Sequence, residues 1–165
     1  MYLRGTHNCA IATLTITAAL AMAAAVPPAR AGDCPPGKTG VNVTKPGPAE
    51  NKGVTDTVLA ALDLGKQDPK LAGRQLRLRR LVIQPGGVVR WHEHDDRPDN
   101  IYVIEGELTE YRSTCSVPIM HKAGEVVPAI GKVAHWWQNT GDKTATLISA
   151  DLFRKGIKKH KEHDM

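Results

Sequence analysis

The sequence predicts an all-β fold, a single antiparallel barrel or sandwich, on three observations. Short runs rich in strand-forming residues recur at near-regular spacing: Val88–His94, Ile101–Glu105, Glu107–Arg112, Glu125–Val127, Val133–Trp137 and Thr144–Phe153. Glycines at 106, 124, 131 and 141 punctuate these runs. No long segment of helical period follows the N-terminal apolar stretch. Such spacing suits a closed or double-layered antiparallel sheet, and 165 residues suffice for one ordinary domain.

Taken in order, the chain opens with Arg4, a run of small and apolar residues over Ala10–Val26, and the small-x-small triplet Ala29-Arg30-Ala31. This is the pattern of a secretory signal peptide over residues 1–31, with cleavage before Gly32. A membrane anchor would need about 20 strongly apolar residues, and this run is rich in alanine and broken by threonines. The expected location is therefore export, periplasmic or extracellular, with no membrane attachment after cleavage. Residues 32–56 read as an extended N-terminal segment, since Gly32–Gly53 holds four prolines and five glycines with almost no large apolar residue.

Residues 57–153 are expected to form the barrel. Thr57–Leu64 (TVLAALDL) is too short to declare its period and fits either a short helix stopped by Gly65 or an edge strand; the β-rich sequence after it favours the strand. Gln75–Gln84 (QLRLRRLVIQ) alternates apolar and basic residues, then slips phase at Arg79-Arg80, which suggests a strand with a bulge. Pro85-Gly86-Gly87 is a turn. Residues 154–165 form a basic tail without an apolar face, expected to be disordered.

The charge lies in that tail. The whole chain carries +5, and removing Arg4 and Arg30 leaves 20 basic against 17 acidic residues, or +3. The tail alone holds five basic and two acidic residues, so residues 32–153 balance at 15 against 15. A neutral body argues against nucleic acid as a partner. Of three cysteines, Cys9 leaves with the signal, and an oxidising compartment invites a Cys34–Cys115 disulfide over the alternative of two unrelated thiols.

The chemistry concentrates in WHEHDDRPDNIYVIEG, residues 91–106. Residues i and i+2 of a strand share a face, so His92 and His94 aim together while Trp91 and Glu93 face away. His135 lies on a separate β run (VAHWW), with Val133 and Trp137 on its face. Three imidazoles from two strands can converge inside a barrel and, with a carboxylate, suit a divalent transition metal: Fe, Mn, Ni, Cu or Zn. Each histidine can equally be a hydrogen-bonded turn or surface residue, and spacing alone leaves that open.

The stretch Gly86-x5-His92-x-His94-x4-Asp99-x6-Gly106 resembles the first motif of the cupins, and Gly124-x10-His135-x3-Asn139 resembles the second. Within that superfamily the chain is similar to small, exported, single-domain cupins of the quercetin-dioxygenase-like kind. The resemblance implies a jelly-roll β-barrel with a mononuclear metal held by three histidines and a glutamate, here His92, His94 and His135. Asp99 stands in the glutamate's place, one methylene shorter. Its role is open between weak fourth ligand, orienter and loop acid, with Asp95 and Asp96 as competitors. Ile130 and Lys132 replace the common proline and glycine of the second motif.

The implied function is a metal-dependent, dioxygenase-like enzyme acting on a small organic substrate. The alternative is a non-catalytic module that binds a metal or small ligand. A small molecule is the expected partner, with a homodimer as a further possibility. Trp137 and Tyr102 are candidate pocket residues, Tyr102 being expected in the core. Trp91 and Trp136 read as packing residues and His121 as a turn residue, while His160 and His163 sit in the basic tail.

Overall fold

The computed structural model describes residues 34–40 and 47–156. The expected signal segment, its cleavage point at Gly32 and the tail histidines His160 and His163 lie outside the described residues. Six strands make up the fold: β1 (Lys52–Asp63), β2 (Arg74–Glu105), β3 (Glu107–Arg112), β4 (Ile119–Lys122), β5 (Val126–Gln138) and β6 (Ala145–Arg154). Two single 3-10 turns join β1 to β2, each started by an aspartate (Asp63, Asp68) that accepts a backbone N–H two residues on. Every strand pairing is antiparallel, and no α-helix occurs among the described residues. The all-β expectation holds.

β2 organises the barrel. Its first limb pairs with β1 and β6, its middle (Val88–His94) pairs with β5, and its last limb pairs with both β5 and β6. β6 thus lies between two limbs of one strand, with Asp151 opposite Arg77 on one side and Asp99 on the other. Gly106, at φ 76°, lets the chain leave β2 directly against β6, where a Cβ would come within 3.0 Å of Ala145. Inward residues from these strands build the core: Leu81, Ile83, Val89, Ile101, Leu108, Val127, Trp137, Ala145 and Leu147. Each large member contributes about 1.5–3 kcal/mol by leaving water.

Thr57–Leu64 falls almost wholly within β1, which starts earlier, at Lys52. Its own pattern could not choose between helix and strand; pairing with β2 from Asp63↔Gln75 to Val54↔Ile83 does so. The expected bulge in Gln75–Gln84 is not there. β2 pairs with β6 without a slip from Arg74 to Ile83, and the irregularity sits in β1 between Val58 and Ala60. The apparent phase slip is a change of chemistry on a constant phase. Leu76 and Leu78 point outward, 45% and 40% exposed, while Arg77, Arg79, Leu81 and Ile83 form one inward row.

The described residues of the lead-in are fastened at two places. Cys34 and Cys115 form a disulfide with Cα atoms 5.5 Å apart. Around it Thr39 bridges Cys115, Ser116 donates from both N–H and Oγ to the Lys38 carbonyl, and Gly40 N–H donates to Thr114. Further on, Trp91 N–H donates to the Pro48 carbonyl, which lays the end of the lead-in over the indole rings of Trp91 and Trp136 beside Gly47.

Candidate metal centre

His92 and His135 stand directly opposite each other on β2 and β5, and His94 follows two residues along β2. All three are buried, and their ligating atoms lie within 4.8 Å of one another. The His135 Nε2 is 2.9 Å from His94 Nε2 and 3.0 Å from His92 Nε2.

The protons of these rings are fixed by what the other nitrogen touches. His92 Nδ1 lies 2.8 Å from the Arg90 carbonyl, His94 Nδ1 2.8 Å from the Arg97 carbonyl, and His135 Nδ1 2.5 Å from Glu110 Oε1. Carbonyls and carboxylates only accept, so each Nδ1 donates. A neutral imidazole has one proton to give, so a ring that donates from Nδ1 turns an Nε2 lone pair toward the centre. Burial, followed by the neighbouring histidines, holds His92 well below its ordinary pKa. Burial and His135 lower His94 to about 3. Extra protons are thus a poor remedy for the clash of lone pairs, and a cation from outside is a good one.

The spacing also fits an ion. Nitrogens about 3.0 Å apart and each about 2.1 Å from a common metal subtend about 90° at it, whereas a tetrahedral pair would sit about 3.4 Å apart. The donor set, three imidazole nitrogens, would suit a divalent transition ion.

Glu110, on β3, was not singled out from sequence. It is wholly buried, and although burial pushes its pKa up, hydrogen bonds from His121 and His135 pull it down to about 2. Its second oxygen accepts from His121 Nε2 at 3.0 Å, and His121 Nδ1 lies 3.4 Å from Glu125. His121 is therefore a buried β4 residue packed against Trp137, not a turn residue. The visible signal was the alternation of IMHK and ELTEYR, which places His121 and Glu110 on inward faces once the strands pair Leu108 with His121.

Asp99 stands outside the group of three. It is buried, with Oδ2 accepting from Ser149 Oγ at 2.7 Å and Oδ1 lacking a hydrogen-bond partner. Burial raises its pKa, with Asp151 adding to the effect against the Ser149 hydrogen bond. Asp95 is exposed and Asp96 pairs with Arg74, so neither competes for the histidines. Glu93 faces outward as strand parity requires. Trp137 is buried, T-shaped against His135, and lines a cavity of about 20 Å³ with His92, Arg97, Asp99 and Ser149. Tyr102 is neither core nor pocket. It is 44% exposed because Ile101 and Val103 on either side take the inward positions. Trp136 packs as expected, stacked on Tyr111 at 3.9 Å.

An antiparallel β-barrel that converges three imidazoles from two neighbouring strands defines a class of candidate metal-binding barrels. Residues 79–151 match the family model described as Cupin domain, so the chain carries a cupin domain over that stretch. Among curated relatives it is similar to Nectarin-1 from Nicotiana langsdorffii x Nicotiana sanderae, 31% identical over 111 residues that cover 66% of this chain and 47% of the relative. The chain spans about half the length of the curated relatives it matches. An uncharacterized conserved protein with a double-stranded beta-helix domain from Klebsiella pneumoniae superposes with a TM-score of 0.51 at 18% identity, over 64% of this chain and 82% of that one. A cupin domain from Bordetella pertussis gives 0.48 at 18% identity, over 63% and 97%. These structural likenesses concern the fold alone.

Proposed function

We propose that this protein is an exported cupin that holds one divalent transition metal on His92, His94 and His135 and uses it on a small organic molecule. The observation that carries the reading is that every Nδ1 lies against a carbonyl or carboxylate oxygen, which assigns the proton to Nδ1 and leaves the Nε2 lone pairs for a metal. Bound there, a divalent ion supplies Lewis acidity and open coordination positions for an oxygen ligand, dioxygen among them. The chain's own residues supply the rest. Glu110 and the Arg90 and Arg97 carbonyls orient the rings. Trp137, Val89, Leu81 and Leu147 keep the adjoining cavity apolar over most of its wall. Export is supported by the leader-like N-terminus and the Cys34–Cys115 disulfide.

Dioxygenase-like turnover is the finer form of this proposal. A non-catalytic metal- or ligand-binding module is the second reading, favoured by the cavity's size, since about 20 Å³ holds little more than a water. A homodimer would use the outward strip of Leu62, Leu76 and Leu78, where Leu62 and Leu76 are directly paired. The deciding experiment is metal analysis of protein purified without a His-tag, followed by oxygen-consumption assays against phenolic and enediol compounds. One metal per chain is expected, and metal-free protein that takes up none on titration sinks the reading.

A further inference from the structure

Between Val89↔Trp137 and His92↔His135 the pairing of β2 with β5 slips by one residue, so Arg90 and Trp91 oppose Trp136 alone. This is a β-bulge directly ahead of a candidate ligand, and a bulge leaves its extra residue unpaired. Here the lead-in answers both N–H groups. Arg90 N–H donates to Asn51 Oδ1 and Trp91 N–H to the Pro48 carbonyl, each at 2.9 Å. Trp91 N–H and the Arg90 carbonyl belong to one planar peptide and point opposite ways. On its far side that carbonyl accepts from His92 Nδ1 at 2.8 Å. A hydrogen-bonded path thus runs from Pro48 through one rigid peptide to a ring of the histidine cluster. Its outer end is closely fitted. A Cβ on Gly47 would lie 2.5 Å from Trp136 Cδ1 and 3.0 Å from Trp91 Cε3, and Trp136 is itself held by its stack on Tyr111.

We propose that residues 47–51 act as a strap that sets the position of His92, with Pro48 and Asn51 as positioning residues for the metal centre. The proposal rests on the metal reading above. The three rings differ in what holds them. His94 leans on the Arg97 carbonyl and His135 on Glu110, both supplied by barrel strands. His92 leans on a peptide whose other side is held by a segment that precedes β1. With the strap displaced, the barrel keeps all three donors but the Arg90–Trp91 peptide is free to turn. The ring that follows it then leaves the spot where its Nε2 stands 3.0 Å from that of His135. Metal affinity is thereby coupled to the seating of a segment that contains no ligand.

The test is cobalt affinity by chelator competition, read together with the ring N–H signals in proton–nitrogen correlation spectra. Gly47→Ala forces the strap off the indoles and should weaken cobalt binding about tenfold. In metal-free protein it should speed solvent exchange of the His92 Nδ1 proton while leaving those of His94 and His135 as they were, a selectivity that general loosening of the barrel does not produce. Asn51→Ala should do the same to a smaller degree. Asn51→Asp keeps the acceptor and should restore both readouts to within about twofold of wild type; this pair serves if Gly47→Ala does not fold. Cobalt affinity of Gly47→Ala within about twofold of wild type, equal acceleration of all three ring protons, or no rescue by Asn51→Asp overturns the proposal. Wild type that binds no cobalt defeats the metal reading itself, and exchange of the His92 proton in metal-free protein still decides the strap.

Discussion

Two polar clusters are buried in one barrel, and they are stabilised by opposite means. The histidine cluster is built of rings whose Nδ1 atoms are each taken up by a carbonyl or carboxylate, so its centre is three Nε2 atoms that a cation would join. The neighbouring cluster is built of full charges that answer one another. Arg77 makes a bidentate pair with Asp151, Arg79 pairs with Asp56 and approaches Asp151, and Arg97 lies 3.5 Å from Asp151. Asp151, wholly buried, is the common counter-charge of three arginines. The first cluster is completed from outside the chain and the second almost entirely from within. That is why function is assigned to the histidines.

Breaking each cluster should therefore give a different loss. The largest effect is expected from replacing His92 and His94 together by alanine. Metal content should fall from about one ion per chain to none, and metal retained by that variant would point instead to donors outside the three histidines. Asp151→Ala should leave metal binding possible but take the carboxylate from Arg77 and Arg97 while Arg79 keeps Asp56, destabilising the fold by about 3 kcal/mol in urea unfolding. A cost below about 1 kcal/mol would show that water, not Asp151, neutralises the arginines. Glu110→Gln keeps the shape but weakens the acceptor for His135, so metal affinity should drop roughly 10- to 100-fold in a chelator competition. An unchanged affinity would reduce Glu110 to packing. Asp99→Asn should change metal affinity least, by less than about threefold if Asp99 is no ligand, and a loss matching the double histidine variant would reverse that assignment.

Acid sharpens the contrast. His94 has a folded pKa of about 3 against an ordinary 6.5, so the unfolded chain binds the proton first. Its contribution to stability is present above pH 6.5 and is lost as pH falls toward 3, at up to about 1.4 kcal/mol per pH unit. Asp99 has the opposite sign, because its folded pKa is raised and protonation then favours the folded state. Metal-free protein should thus lose urea resistance as pH falls below 6.5, with Asp99 opposing part of the loss. A flat profile there would mean that the rings are protonated in the folded protein.

The two clusters were not equally legible. His92, His94 and His135 announce themselves because identity, strand parity and the motif spacing agree. Glu110 and His121 did not, because the alternation of their strands gives each a face but no partner, and they meet only when β3 and β4 pair at Leu108↔His121. In Gln75–Gln84 the usual rule of apolar inside misled outright. Arginines take the inward row because Asp151 and Asp56 wait there, contributed by strands far away in sequence. Tyr102 was misplaced although Ile101 and Val103 already claimed the inward positions of that limb.

By itself the sequence determined the class of fold, the disulfide partners as an even pair, and the three histidines, because each is written in local period, residue count or fixed spacing. Tertiary structure alone decided the strand identity of Thr57–Leu64, the inward turn of Arg77 and Arg79, the Glu110–His121 support of His135, and the departure of Asp99 to Ser149. The physical reason is common to all four. A buried charge or an undecided apolar run takes its place from the partner that satisfies it, and in this barrel those partners come from other strands, up to 74 residues away.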